Sequence, residues 1–293
     1  MTGGRRQLIM AAKRGFCGGV RTAMARLEGF LAADPAEPVY VLHELVHNRH
    51  LTDSFRRRGV RFVNTLAEVP AGARLILGAH GVSAETERAA KRVTARLSNA
   101  TCPLVRARQR AAAGLDAGDS LILLGHPGHS EVAGILGWSG AGENIVVPDA
   151  EAAERVAVAL HPVALAQTTF AADELEKCLK VLKRRFPEII CRGGLCRASE
   201  ERQRSVRELA ARVELVVVIG AAHSSNARRL CETAERGGTE SLLAESATEL
   251  PERVFGLARV GLTSGASTPD EDFNAAAERF AASGFEIVDL KRA

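Results

Sequence analysis

Short apolar runs recur along this chain. Each is followed by a turn of small or polar residues and then by a stretch with the apolar spacing of an amphipathic helix. The clearest runs are Gln7–Ala11, Val39–Leu42, Arg74–Leu77, Leu121–Leu124, Val163–Ala166, Leu215–Ile219 and Val260–Leu262. Weaker ones precede Cys102 and Cys196. Helical spacing covers Glu85–Arg96, Ala172–Arg185, Glu200–Arg212 and Asp270–Ala282. The unit repeats about nine times, and strands alternating with helices predict an α/β fold with mostly parallel sheets. In such sheets ligands bind beyond the carboxyl ends of the strands.

Read in order, those ends are Arg14-Gly-Phe-Cys17, His43-Glu-Leu-Val-His47-Asn, Ala79-His80-Gly-Val-Ser83 and Thr101-Cys102-Pro. Then come Gly125-His126-Pro-Gly-His129-Ser-Glu131, Gln167-Thr168-Thr169, Gly194-Leu-Cys196, His223-Ser224-Ser225-Asn226 and Thr263-Ser264-Gly-Ala-Ser267. The order is cysteine, polar loop, polar loop, three times over. Cys17, Cys102 and Cys196 are 85 and 94 residues apart. This periodicity predicts three similar α/β domains, over 18–102, 103–196 and 197–293, with the N-terminal strand 1–17 joining the third. The nine loops are expected to converge on one centre.

Chemistry enters at Cys102. Pro103 suits a first helical position because its missing N–H would have had no partner there. The Cys102 sulfur then sits at the positive end of a helix, which favours the thiolate. Cys17 and Cys196 are similarly placed, although for any single cysteine the default is a buried apolar group. Three cysteines this far apart match neither a zinc finger nor a ferredoxin-type cluster motif. Three converging thiolates would hold a cubane [4Fe–4S] cluster by three irons and leave the fourth open.

Composition narrows the partners. A chain of 293 residues exceeds one ordinary core. A net charge of +4 fits a small anionic substrate better than nucleic acid, and 4% aromatic residues are too few for a base-stacking platform. No apolar stretch reaches the ~20 residues of a membrane span. The N-terminus, Met1 to Met10, lacks a long apolar run, so a cytoplasmic protein with reduced thiols is expected.

The chain resembles the 4-hydroxy-3-methylbut-2-enyl diphosphate reductases of the LytB type. The resemblance rests on Arg14-Gly-Phe-Cys-Gly-Gly-Val20, His43-Glu-Leu-Val-His-Asn-Arg49, Ala79-His-Gly-Val-Ser83 and Ala100-Thr-Cys-Pro-Leu-Val105. It continues through the Gly125-to-Val132 loop, Gln167-Thr-Thr169, Arg202-Gln203, Ser224-Ser-Asn226 and Gly265-Ala-Ser267, all in the expected order. It implies three α/β domains in pseudo-threefold arrangement around an iron–sulfur cluster held by Cys17, Cys102 and Cys196. The activity implied is reduction of the allylic alcohol to isopentenyl and dimethylallyl diphosphate, the last step of the methylerythritol phosphate route, with electrons from a ferredoxin or flavodoxin. By the same resemblance Glu131 supplies a proton and Thr168 helps relay it. His47, His80, His129, Thr168, Ser224, Ser225, Asn226 and Ser267 bind the substrate and its diphosphate. The oligomer implied is a monomer or a homodimer.

Plainer readings compete. Glu131 also reads as a solvated helix-start carboxylate, and Ser224-Ser-Asn226 as a helix cap. His43 and His126 read as supporting groups, and His50 and His161 as surface residues. Cys178 and Cys231 read as packing residues and Cys191 as a bystander. Arg56-Arg-Arg58 and Lys183-Arg-Arg185 read as solvated helix ends, either of which suits an acidic electron donor. Ser130, Ile135, Ser199, His223 and Ala227 depart from the family pattern, which leaves open a paralogue with another allylic substrate. A non-catalytic iron–sulfur sensor or electron carrier, and a structural zinc protein, are the rivals from other classes.

Overall fold

The computed structural model describes residues 5–158 and 161–290. Residues 1–4 and 291–293 of the two terminal segments, and positions 159 and 160, lie outside the described residues. In chain order, β1 (Gln7–Met10) leads to α1 (Gly18–Ala33). Next come β2 (Val39–Leu42), α2 (Arg49–Arg57), β3 (Val60–Val63), β4 (Arg74–Leu77), α3 (Ala84–Val93) and β5 (Leu97–Asn99). Helix α4 (Pro103–Ala113) precedes β6 (Asp119–Leu124), α5 (Ser130–Leu136), β7 (Glu143–Val147), α6 (Ala150–Arg155), β8 (His161–Ala166), α7 (Ala172–Arg185) and β9 (Ile190–Cys191). The remainder is α8 (Arg197–Ala210), β10 (Leu215–Ile219), α9 (Ser225–Arg236), β11 (Glu240–Ala244), β12 (Arg259–Ser264), α10 (Asp270–Ala282) and β13 (Glu286–Asp289).

Among the described residues every strand pairing is parallel. The strands form three sheets, ordered β3-β2-β4-β5, β7-β6-β8-β9 and β11-β10-β12-β1-β13. One winding is repeated three times. A first strand is flanked by the second on one side and the third on the other, and a fourth strand lies beyond the third. In the last sheet that fourth place is filled by β1, from the start of the chain. The α/β class with parallel sheets is the one that the alternation of strands and helices predicts.

The described residues fall into two compact units. One holds residues 5–18, 47–51 and 197–290 and contains the last sheet. Leu8, Val217 and Leu262 line one face of that sheet with Phe273 and Phe280 of α10. Ile9, Val216 and Val218 line the other with Val206 and Leu209 of α8 and Leu230 of α9. The second unit holds residues 19–46, 52–158 and 161–196 and contains the other two sheets. There Leu121, Leu123, Val163 and Leu165 pack against Ala112 of α4 and Ile135 of α5. Ile122, Leu124, Ala164 and Ala166 face the opposite way, with Cys178 and Leu182 of α7. Strands covered on both faces need apolar residues at every position, which is why the central ones stand out as unbroken runs.

The edge strands β3, β7, β11 and β13 escape that pattern, because each has exposed and half-buried positions along its length. Two helices also differ from their expected limits, running Ala84–Val93 and Arg197–Ala210. The helix expected over Glu85–Arg96 stops at Val93, because Thr94 turns extended and its Oγ1 accepts the Arg96 N–H at 2.9 Å. The helix expected from Glu200 begins at Arg197, whose side chain pairs with Glu201 at 2.9 Å across the first turn.

Gly78, directly after β4, sets how closely two strand ends approach. A Cβ there would lie 2.4 Å from the carbonyl oxygen of Glu44. Gly78→Ala is expected to lower stability by about 1–3 kcal/mol, as overpacking does. The check is a lower urea midpoint at unchanged m value.

Candidate functional site

Cys17, Cys102 and Cys196 occupy one structural position three times. Each is the residue directly before a helix: α1, α4 and α8. Each follows the strand in the fourth place of its sheet: β1, β5 and β9. Each amide N–H donates to the carbonyl of the second residue past the third strand. Cys17 donates to Ala266 at 3.1 Å, Cys102 to Ala79 at 2.9 Å and Cys196 to Thr168 at 3.2 Å.

The three thiols are half-buried, and none of the six cysteines is in a disulfide. Half-buried sulfurs at the positive ends of helices suit a soft metal or an iron–sulfur group. Cys178 and Cys231 differ. They are buried inside α7 and α9, and burial pushes their thiols up to about 12 and about 11. They remain protonated packing groups at neutral pH. Cys191 is exposed in β9.

In the first unit the Cys17 loop is braced on two sides. Gly15 donates its N–H to Ser264 Oγ at 2.8 Å, and its carbonyl accepts from Arg202 of α8 at 2.7 Å. Its φ of +70° and the Asp270 carboxylate, 2.2 Å from where a Cβ would sit, admit only glycine. Asn226 Oδ1 accepts the Ala266 N–H at 2.9 Å, tying α9 to the loop that also holds Cys17. Ser224 caps α9 by accepting the Ala227 N–H, so the cap reading is correct; it leaves anion binding open, because a helix start can serve both. Ser225 and Asn226 follow, buried, in the first turn. The Ser267 hydroxyl donates to the His47 carbonyl at 2.9 Å. The His47 ring meets His223 edge-on at 5.1 Å between centroids.

In the second unit Glu131 lies in the first turn of α5 and is only 1% exposed. Its carboxylate accepts the Thr168 N–H at 2.7 Å and the Thr168 hydroxyl at 2.8 Å. Burial pushes the carboxyl above the usual carboxylate range, outweighing the Thr168 hydrogen bonds and the Arg108 charge that pull it down. The solvated reading of Glu131 therefore fails. Beside it, His129 Nδ1 accepts the Glu131 N–H at 3.1 Å. In the neutral ring that leaves the proton on Nε2, the end turned away from the helix. The His80 ring meets His129 edge-on at 6.0 Å.

His126 packs on Phe170 at 5.4 Å, and its amide donates to Gln167 Oε1 at 3.1 Å. His43 is exposed and holds a left-handed φ of 62°, and His50 and His161 are exposed.

Two contributors were not singled out by the sequence: Ser264 stands in the Thr263-to-Ser267 loop with no role of its own, and Arg108 sits in an Arg-Ala-Arg-Gln-Arg run that carries no motif. In the structure Arg108 donates to the Gly194 carbonyl at 2.5 Å, in the loop entering Cys196. Of the five departures, Ile135 and Ala227 are fully buried packing positions. Ser199 is buried in α8, Ser130 is exposed and His223 stands against His47. In the two basic runs, Arg56 is paired with Asp53, Arg58 with Glu28 and Arg184 with Glu154.

The sequence matches the LytB protein family over residues 8–281. It is 41% identical over 269 residues to 4-hydroxy-3-methylbut-2-enyl diphosphate reductase of Desulfotalea psychrophila, covering 90% of this chain and 85% of that one. It is 42% identical over 274 residues to the protein of the same name from Burkholderia pseudomallei, covering 90% and 86%. Its fold is similar to the E-1-hydroxy-2-methyl-but-2-enyl-4-diphosphate reductase of Plasmodium falciparum, with a TM-score of 0.91, 25% identity and 99% and 93% of the two chains covered.

Proposed function

The chain belongs to the LytB protein family, and from that premise we propose that it reduces 4-hydroxy-3-methylbut-2-enyl diphosphate to isopentenyl and dimethylallyl diphosphate in the cytoplasm. In this reaction a C–OH bond is replaced by C–H, two electrons and two protons are consumed, and water leaves. The observation that carries the reading is the repeated cysteine position: three thiols set before three helices in one register. Cys17, Cys102 and Cys196 would hold a [4Fe–4S] cluster. Bound there with one iron not ligated by the protein, it supplies electrons one at a time, drawn from a ferredoxin or flavodoxin, and Lewis acidity toward the departing oxygen.

The protein's own groups do the rest. Glu131 holds a proton because its buried carboxyl resists ionisation. When protonated it donates to Thr168 Oγ1, which frees the threonine proton to point at the substrate hydroxyl. The pair then works as a short relay, with Thr168 contacting the alcohol and Glu131 behind it. The Nε2–H of His129 and the imidazole N–H groups of His47 and His80 donate to the diphosphate. So do Ser225, the Asn226 Nδ2 and the α9 N-terminal amides. Ser224 Oγ accepts a backbone N–H and keeps its own proton for the diphosphate, whereas Ser267 would donate there by turning its hydroxyl from the His47 carbonyl. Mostly neutral donors explain how a site for a diphosphate coexists with a net charge of +4. A non-catalytic sensor would need neither the Glu131–Thr168 pair nor this buried polar set.

The test is anaerobic purification, iron and sulfide analysis, and turnover of the alcohol with dithionite. A brown protein that releases both isoprenoid diphosphates is expected. A colourless chain without turnover overturns the reading. Thr168→Val keeps the side-chain shape but removes one hydrogen bond that favours the charged carboxylate, so Glu131 moves further up. The rate is expected to fall by about tenfold, with the alkaline limb of the pH–rate profile shifted to higher pH.

A further inference from the structure

Among the described residues the exposed large apolar side chains are Leu104, Ile190 and Ile287. Two of these stand beside cysteines of the second unit. Leu104, 43% exposed, is two residues past Cys102 in the first turn of α4. Arg108 lies one turn further along the same flank, where its guanidinium reaches the Gly194 carbonyl two residues before Cys196. Ile190, 50% exposed, pairs in register with Val163, whose side chain packs against Ala112 of α4. Ile190 therefore points to the α4 side of its sheet. Leu104 and Ala107 on α4, and Ile190 and Gly193 on β9 and the loop entering Cys196, are the exposed apolar positions of this strip, in which Arg108 packs over Gly193. Arg110 of α4 and Arg192 of the loop add exposed positive charge to these two segments and Glu188 one exposed acid, while the Arg108 guanidinium is held by the Gly194 carbonyl.

We propose that this face is where the protein electron carrier docks: a small acidic protein with an apolar patch beside its own redox group. The inference rests on the reductase reading. An apolar centre with a rim of one charge sign is the anatomy of a transient interface with a partner of opposite sign. The position suits the task, because the strip borders the backbone of both Cys102 and Cys196. Each reduced ferredoxin or flavodoxin gives up one electron and leaves oxidised. Two such visits supply the electrons that, with two protons, turn C–OH into C–H and water.

The test compares holoenzyme with Leu104→Glu and Arg192→Glu, and with Arg184→Glu as a distant control. Binding of oxidised bacterial flavodoxin and of a plant-type ferredoxin is measured by calorimetry at low ionic strength. Turnover is driven in parallel by each reduced carrier and by dithionite with methyl viologen. For at least one carrier, Leu104→Glu and Arg192→Glu are each expected to raise Kd by about tenfold and to slow carrier-driven turnover to match. Viologen-driven turnover stays within about twofold of the native rate. Unchanged Kd in both variants, or no binding of either carrier to the native protein, overturns the proposal. So does a native dimer in sedimentation that Leu104→Glu dissolves, since the face then belongs to a second copy. If the native protein shows no viologen-driven turnover, the reductase reading fails instead, and the Kd comparison still decides the docking face.

Discussion

Glu131→Gln is expected to cut turnover by about 10²–10⁴-fold, the range lost when a positioned general acid is removed, while the iron–sulfur absorption stays in place. The amide keeps the shape and fills the same buried space. Its carbonyl oxygen still accepts one of the two Thr168 hydrogen bonds, but the group has no acidic proton to give. The pH dependence has a definite sign. Burial raises the folded-state pKa of Glu131 above that of the unfolded chain. The folded protein therefore holds this proton more tightly. Its contribution to stability is complete below the ordinary carboxylate pKa of about 4.3 and is lost as pH rises through the folded value. Activity that needs the protonated acid declines over the same alkaline limb. Glutamine cannot ionise, so denaturation curves should show the variant losing less stability than the native protein as pH rises through that limb. An active Glu131→Gln would remove this residue from the mechanism. A variant less stable than the native protein at every pH would mean that the site was built for the ionised form.

What could be read from the sequence follows from how much of each element is covered. Leu215–Ile219 and Val39–Leu42 stand out because parallel sheets covered on both faces demand apolar residues without a break. In the edge strand Val60–Val63 the exposed Arg61 interrupts the apolar residues, so the run disappears although Val60 and Val63 are buried. The cysteine positions were readable because local rules set them: a strand end, a turn, then a residue such as Pro103 that starts a helix. Bracing contacts were not. Arg108 reaches a carbonyl 86 positions away, and Ser264 Oγ meets an amide 249 positions away. Nothing in an arginine-rich helix or at the end of an apolar strand marks such partners. The departures at Ile135 and Ala227 show the same limit. Both come just after conspicuous motifs, yet both side chains point into the core, where they alter packing and not the polar end of the site.

Cysteine replacement separates the metal-binding reading from a packing role with the largest effect. Serine at Cys17, Cys102 or Cys196 exchanges a soft thiolate for a hard hydroxyl at a helix start, without adding volume. Each single variant is expected to lose most of its iron after anaerobic purification and to fall by more than about 100-fold in turnover, since even changes to groups that merely support metal ligands cost 10–100-fold. The apoprotein should keep its fold, because the backbone bonds from Cys17 to Ala266, Cys102 to Ala79 and Cys196 to Thr168 do not involve sulfur. Circular dichroism would confirm that. The other three cysteines make the control. Cys191 is exposed, so serine there should leave iron content and rate unchanged. Cys178 and Cys231 are buried, and alanine there should cost stability through lost packing without touching iron content. The pattern has one strict requirement: the three helix-start positions must respond alike. If one of them tolerates serine with full iron and full turnover, the equivalence of the three positions in the fold is inherited geometry and not a shared ligand set.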